Sequence, residues 1–263
     1  MLRLWPAAAA AALLVFAPLG AGAIENARPL RTLTYAIDVT VIHAIDTPGG
    51  TVAGGGARPA MIVKGKVVQQ GRPITGSGDK RAAATVATKG SITVEVLQAT
   101  EDAGLVVEVA EDAAERVRPR VRLAISSDGA LFYDPTNASK LSEEEIAVVH
   151  WLGRGFFGDH PTEVGTSWTV DQSANGHTDV ERYEVMGHDA GQITLGYALE
   201  QRSTLASGYE GTRAGSLVYD TKMVVPVEAS FDSVARRQIG ESYDTLRTSI
   251  KFKLLTDTFA KPH

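Results

Sequence analysis

Residues 141–158, LSEEEIAVVHWLGRGFFG, hold the one convincing helix signal in a chain whose pattern is otherwise typical of β-strands. Ser142 has the N-cap position, and Glu145, three residues later, has the spacing of its capping-box partner. Three consecutive glutamates in the first turn favour the positive end of the helix dipole. Because Gly153 is a typical C-terminal stop, the sequence predicts a single helix between Ser142 and Gly153.

The glycine-rich end of this segment, GRGFFG at 153–158, matches the pattern G-x-G-x-x-G. A dinucleotide site needs such glycines after a strand and at the start of a helix, where free N–H groups meet the pyrophosphate. Here they follow the predicted helix and lie at its negative end. We therefore interpret them as the exit from the helix and predict no nucleotide and no other cofactor.

The flanking sequence alternates apolar and polar residues, which is typical of strands with one buried face. Residues 31–45 alternate over a length above the usual range for a strand, and residues 243–256 do the same near the other end of the chain. Strands of this length favour a strongly curved sheet. We predict a mainly β fold, a long antiparallel, strongly curved sheet or open half-barrel of roughly ten to twelve strands with one central helix.

Residues 1–23 carry one charge, Arg3, followed by an apolar run that ends in the small-x-small pattern AGA. This is typical of a secretory signal peptide, and no second apolar run of membrane-spanning length follows. The chain contains no cysteine, which excludes a cysteine-linked lipid anchor and a disulfide framework. We predict an exported, soluble protein, periplasmic or extracellular, with no lipid anchor and no transmembrane segment after signal cleavage.

Residues 24–263 are predicted to form a single β-rich domain. Without Arg3 this part has 25 basic and 31 acidic residues, a net charge of −6. Domains that bind nucleic acids normally carry a basic surface. No nucleic-acid partner is therefore predicted.

A short pattern occurs on both sides of the helix and points to two related halves, 24–138 and 160–263, joined by a helix segment at 139–158. Gly-x-Leu-x-Tyr-Asp occurs at 129–134 and again at 215–220. Glycine before an aromatic strand and aspartate after it are also ordinary hairpin residues. The sequence leaves both interpretations open.

Four arginines alternate along the predicted strand 115–126: Arg116, Arg118, Arg120 and Arg122. One interpretation is a solvated face that pairs across strands with Glu95 or Glu108. The other is a strip that binds anions through its guanidinium groups. Pro119 within the row predicts an edge position or a bulge.

Four aromatic residues cluster in sequence around the end of the helix: Trp151, Phe156, Phe157 and Trp168. The simplest interpretation is that they belong to the hydrophobic core. The alternative is that they line the mouth of an apolar cavity between the helix and the curved sheet, as ligand sites often do. They are the predicted ligand-binding residues.

No catalytic or metal-binding residue is predicted. The six histidines have no zinc-site spacing. The chain has neither a G-x-S-x-G elbow nor a cysteine nucleophile. The dipole preference explains the glutamates at the start of the helix without any reaction.

Signal peptide, long antiparallel strands, one central helix and glycine-rich loops together resemble the open half-barrel proteins of the bacterial envelope, of which the lipoprotein-carrier-like group is the best known. The resemblance is one of pattern over residues 24–263 and rests on no diagnostic motif. It implies a sheet that curves around an apolar cavity plugged by the helix.

The leading functional prediction is a non-enzymatic protein that binds a lipid or other apolar small molecule, or an envelope protein, on the concave face of its sheet. The excess of long one-sided strands over a single short helix motivates this prediction. One alternative is a structural or assembly protein that pairs a sheet edge with a partner strand. A hydrolase that uses dispersed aspartate and histidine residues is the other.

Overall fold

A computed structural model describes residues 28–46, 61–63, 66–68, 84–100, 104–113, 116–126, 129–133, 140–152, 160–174, 176–203, 209–240 and 242–259. The strands within these residues are β1 (Arg31–Asp46), β2 (Met61–Val63), β3 (Lys66–Val68), β4 (Ala84–Thr100), β5 (Gly104–Ala113), β6 (Arg116–Val117), β7 (Val121–Ile125), β8 (Leu131–Tyr133), β9 (Ser167–Ala174), β10 (His177–Asp189), β11 (Gln192–Ser203), β12 (Tyr209–Asp220), β13 (Val225–Ile239) and β14 (Ser242–Phe259). The helix of the described part, α1, spans Glu143–Val149.

Most of the strands form one antiparallel sheet in the order β8-β7-β5-β4-β1-β14-β13-β12-β11-β10-β9, to which β6 adds a short pairing with β5. The edge strands β8 and β9 do not pair with each other, and the sheet is curved and open. β2 and β3 pair separately. The predicted mainly β fold, with a long curved antiparallel sheet and one helix, is confirmed for the described residues.

The two longest pairings lie at the centre of the sheet. β1 pairs with β14 from Arg31 to Asp46 and with β4 from Arg31 to His43. Alternate side chains of β1 are buried on one face: Leu33, Tyr35, Ile37 and Val39. The alternation predicted over 31–45 therefore gives β1 a buried face and a face that bears Asp38 and Thr40.

The chain crosses the sheet between β8 and β9, and α1 lies on that crossing. From β4 the chain builds outward to β8 at one edge, resumes at β9 on the opposite edge and returns inward to β14 beside β1. Val148, Val149 and Trp151 are at most 2 % exposed and belong to the same core cluster as the strands. Because Ser142 contacts Glu111 on β5 and Trp151 contacts Tyr183 on β10, α1 and its exit cover the concave, apolar face.

α1 begins as the sequence predicts. Ser142 Oγ accepts a hydrogen bond from the N–H of Glu145 at 3.1 Å, and the carboxylate of Glu145 accepts one from the N–H of Ser142 at 2.6 Å. Both halves of the capping box are present.

The helix ends earlier than predicted, at Val149 with His150 as its C-cap. The last turn is tightened because the N–H groups of Trp151 and Leu152 donate to carbonyls three residues earlier, at 3.3 and 3.0 Å. Gly153, the predicted stop, lies outside the described residues together with the rest of 153–158.

Two further predictions concern the whole chain. The first Gly-x-Leu-x-Tyr-Asp pattern covers the edge strand β8, whereas the second lies within β12, the fourth strand from the other edge; the relation between two halves stays a prediction. The predicted signal peptide, 1–23, lies outside the described residues. Among the residues that the structure describes, no helix has the length and apolar composition needed to cross a bilayer.

Candidate functional site

α1 and its exit follow the concave face from one end of the strands to the other. At the start of the helix, Ser142 Oγ donates to Glu111 Oε2 at 3.3 Å, near the C-terminal end of β5. At its exit, Leu152 lines the same cavity as Leu105, near the N-terminal end of β5. The helix is thus fixed at one end by polar contacts and reaches an apolar space at the other.

That apolar space is a cavity of about 240 Å³ at the end of the sheet where α1 terminates. Leu152 forms part of its wall, and β4 and β5 contribute Val96, Ala99 and Leu105. Ala99 is exposed and places this wall at the surface. One water molecule in the liquid takes up about 30 Å³, so the cavity has the volume of about eight of them. It is large enough for part of an alkyl chain.

The rest of the wall comes from the start of β1 and from the turn between β12 and β13. Leu30 and Leu33 line it on one side, and Val224 and Val225 on the other. Leu30 is 48 % exposed and lies at the rim. Among the described residues that line the cavity, Arg31 is the one with an ionisable side chain.

Val224 holds a strained backbone at this wall. Its φ is +59°, a region that β-branched residues rarely adopt and that costs about 1–3 kcal/mol. Asp220 imposes the turn, since its carbonyl accepts from the N–H of Val224 at 2.8 Å and its carboxylate accepts from the N–H groups of Lys222 and Met223 at 2.9 Å. Strain that the surrounding structure maintains is frequent at ligand sites, and here it directs an apolar side chain to the cavity.

Three hydrogen bonds hold the guanidinium of Arg31 in place. Its Nε and Nη2 donate to the two carboxylate oxygens of Asp257 at 2.8 and 2.5 Å, and its Nη1 donates to the carbonyl of Met223 at 2.7 Å. The two side chains are 13 % and 15 % exposed. The bidentate pair ties the start of β1 to the end of β14 and to the strained turn.

The start of α1 is held by a buried polar cluster. Glu145 is 0 % exposed and Glu111 5 %. Arg118 approaches Glu145 Oε2 at 3.9 Å and donates to the carbonyl of Lys140 at 2.6 Å. The dipole therefore accounts for only part of the glutamate run, because Glu145 also anchors the helix to the sheet.

The predicted ligand residues Trp151 and Trp168 lie in an aromatic cluster rather than in the cavity wall. Trp151 stacks on Phe231 with ring centroids 5.7 Å apart, and Trp168 stacks on Tyr183 at 5.0 Å. Trp151 and Tyr183 meet edge to face at 6.2 Å, so the two tryptophans are joined through one ring. Phe156 and Phe157 lie outside the described residues, and the assignment of the four to a ligand site stays a prediction.

A polar group borders this aromatic cluster. The hydroxyl of Tyr183 donates to the carboxylate of Glu181, against which Tyr197 also lies. Burial raises the pKa of both phenols, and Glu181 raises it further. Burial lowers the pKa of His150, although the Glu181 carboxylate acts in the opposite direction. The cluster thus contains neutral rings around one carboxylate and joins α1 to β10 and β11.

The arginine row does not keep to one face. The register of β5 with β6 pairs Asp112 with Val117, whereas its register with β7 pairs Val109 with Val121. One extra residue is accommodated around Pro119, as a proline in a sheet predicts. Arg118 consequently reaches the start of α1, while Arg122 lies opposite Glu108.

The remaining arginines of the row pair as the solvated-face interpretation expects. Arg120 Nη1 lies 2.9 Å from Glu108 and 3.2 Å from Glu95, and Arg122 Nη2 lies 3.0 Å from Glu108. Partial burial by itself would raise the pKa of the Glu108 carboxyl, but the hydrogen bonds from both arginines outweigh it and lower that pKa. Arg116 lies opposite Ala113 in backbone register. Anion binding by this row stays a prediction.

Sequence reasoning did not name the cavity residues. They are ordinary aliphatic side chains from distant parts of the chain, and each is indistinguishable locally from a core residue. The half-barrel resemblance and one interpretation of the aromatic cluster implied a cavity beside the helix, but neither pointed to these residues. Within the described part of the chain, no three histidine, aspartate or glutamate side chains are grouped so as to hold a metal ion. The sequence matches no protein-family model and no curated protein.

Proposed function

We propose that this protein binds the alkyl or acyl chain of an apolar ligand in the cavity beside Leu152. The observation that carries the proposal is an apolar cavity of about 240 Å³ at the exit of the helix, on the concave face of an open sheet. A fully packed interior would leave no such space, since protein cores are normally close-packed. The maintained strain at Val224 is a second support.

The protein is proposed to act without catalysis and outside the cytoplasm. The leader pattern of residues 1–23 supports export. Mass spectrometry of the protein from its own envelope fraction should find Ile24 at the N-terminus. An N-terminus that retains residues 1–23 would contradict export with cleavage.

Blocking the cavity tests the proposed function. Ala99→Trp places a large ring at the rim, and we expect the affinity for the uncharged dye N-phenyl-1-naphthylamine, followed by fluorescence, to fall at least tenfold. Ala87→Trp is the matched control, because Ala87 lies exposed on the same strand and outside the cavity wall. Native mass spectrometry of the unmodified protein should show co-purified lipid.

Two results would overturn the proposal. One is equal dye affinity for the Ala99→Trp and Ala87→Trp proteins with both folded by circular dichroism. The other is the absence of both co-purified lipid and dye binding in the unmodified protein.

A further inference from the structure

We propose that the cavity selects an uncharged chain and excludes a carboxylate, so that a ligand enters with its apolar end first and keeps any charged group outside. This inference rests on the proposed function and names the chemical class of the ligand. It is drawn from the state of Arg31, the one ionisable side chain among the described lining residues.

An arginine at an apolar cavity would ordinarily be the anchor for an acidic ligand, because the guanidinium fork matches a carboxylate. In this protein the bidentate edge formed by Nε and Nη2 is already occupied, and Nη1 also has an acceptor. The carboxylate of Asp257 accepts hydrogen bonds from Nε and Nη2 at 2.8 and 2.5 Å, and the carbonyl of Met223 accepts one from Nη1 at 2.7 Å. A ligand carboxylate that took this bidentate position would have to displace Asp257, which is itself largely buried at 15 % exposure.

The alternative position for a ligand carboxylate is beside the intact pair, where Asp257 already balances the charge of Arg31. Removing an ion from water without a partner is costly, and Asp257 would add repulsion at short range. The charges of Arg31 and Asp257 act in opposite directions on the pKa of the Tyr35 phenol, and burial raises that pKa. The phenol is therefore neutral and adds no charge beside the Arg31–Asp257 pair.

The size of the cavity sets the length of chain that fits. About 240 Å³ accommodates roughly eight methylene-sized groups, each taken to fill about the volume of one water molecule. A longer acyl chain would place only its terminal part inside. Eight-carbon probes are consequently the right length to test charge selection in the cavity.

The test compares 1-octanol with octanoate by isothermal titration calorimetry at pH 7, where octanoate is ionised. The unmodified protein should bind octanol at least tenfold more tightly than octanoate. Asp257→Asn removes the competing carboxylate and leaves Arg31 charged, so octanoate affinity should rise several-fold and octanol affinity should stay within twofold. Arg31→Met leaves no cation at the wall, and we expect it to keep the preference for octanol.

The outcomes separate this inference from the proposed function. Octanoate binding as tightly as octanol in the unmodified protein, or unchanged by Asp257→Asn in a protein with a normal melting curve, would overturn charge selection alone. If Asp257→Asn does not fold, loss of the octanol preference in Arg31→Met would overturn it. Failure of both probes to bind the unmodified protein would instead count against the cavity as a ligand site.

Discussion

At the residue scale, two non-glycine residues in the described part of the chain have a positive φ, Ala190 at +48° and Val224 at +59°. Ala190 belongs to the tight turn between β10 and β11, and it does not line the cavity. Val224 does line it, and a β-branched side chain suffers more in this region than alanine does. The positive φ therefore forms part of a turn at Ala190, whereas at Val224 it also shapes the cavity wall.

Replacing each of these residues by glycine separates folding from binding. Ala190→Gly should raise the free energy of unfolding by up to about 1 kcal/mol, because glycine relieves strain but loses more entropy on folding. For Val224→Gly, relief of about 1–3 kcal/mol is offset by the loss of a partly buried side chain, so stability should change by less than about 1 kcal/mol. Dye affinity should nevertheless fall at Val224→Gly and stay constant at Ala190→Gly, as measured by urea unfolding and fluorescence titration. Unchanged dye affinity in Val224→Gly would show that this wall does not contact the ligand.

At the scale of the element, α1 is a seven-residue helix that depends on its first turn. Helices this short are unstable alone and need tertiary contacts. Ser142→Ala removes one capping bond and the hydrogen bond to Glu111, so we expect a loss of about 1–2 kcal/mol in the free energy of unfolding by urea. Ser173→Ala is the control, because Ser173 is exposed on β9 and should change stability by less than about 0.5 kcal/mol. Equal effects of the two substitutions would mean that the capping box does not hold the helix.

The sequence predicted the start of this element better than its end or its surroundings. Ser142 and Glu145 form a cap through contacts three residues apart, which local sequence encodes. The end at Val149 and the burial of Glu145 depend on β5 and on Arg118, which a local pattern does not contain. The division of the arginine row between two faces is likewise not encoded locally, because a shift of one residue at Pro119 changes which face the following side chains occupy.

At the scale of the whole molecule, alternation along single strands predicted a curved β-sheet but could not give the order of its strands. The decisive pairing joins β1 to β14, and their partners Arg31 and Phe259 lie at opposite ends of the described chain. That pairing places the first strand at the centre, sends α1 across the concave face and brings Leu30, Leu105, Leu152 and Val224 to one cavity. The candidate site is therefore a product of topology and carries no signature in the sequence.

The same topology bears on the prediction that residues 24–263 form one domain. Ile193 on β11 is 0 % exposed and is separated from β4 by β12, β13, β14 and β1. Ile193→Ala should lower the free energy of unfolding by about 2–5 kcal/mol.

In one cooperative domain, every amide that exchanges through global unfolding loses the same protection. Hydrogen exchange followed by mass spectrometry should therefore accelerate in β4 and β5 as much as in β11 and β12. Val164→Ala, at a position that is 61 % exposed, should leave exchange unchanged throughout. Acceleration confined to β9–β14 would instead show that the halves on either side of α1 unfold separately. The cavity between β4, β5 and the β12–β13 turn would then be an interface between two folding units.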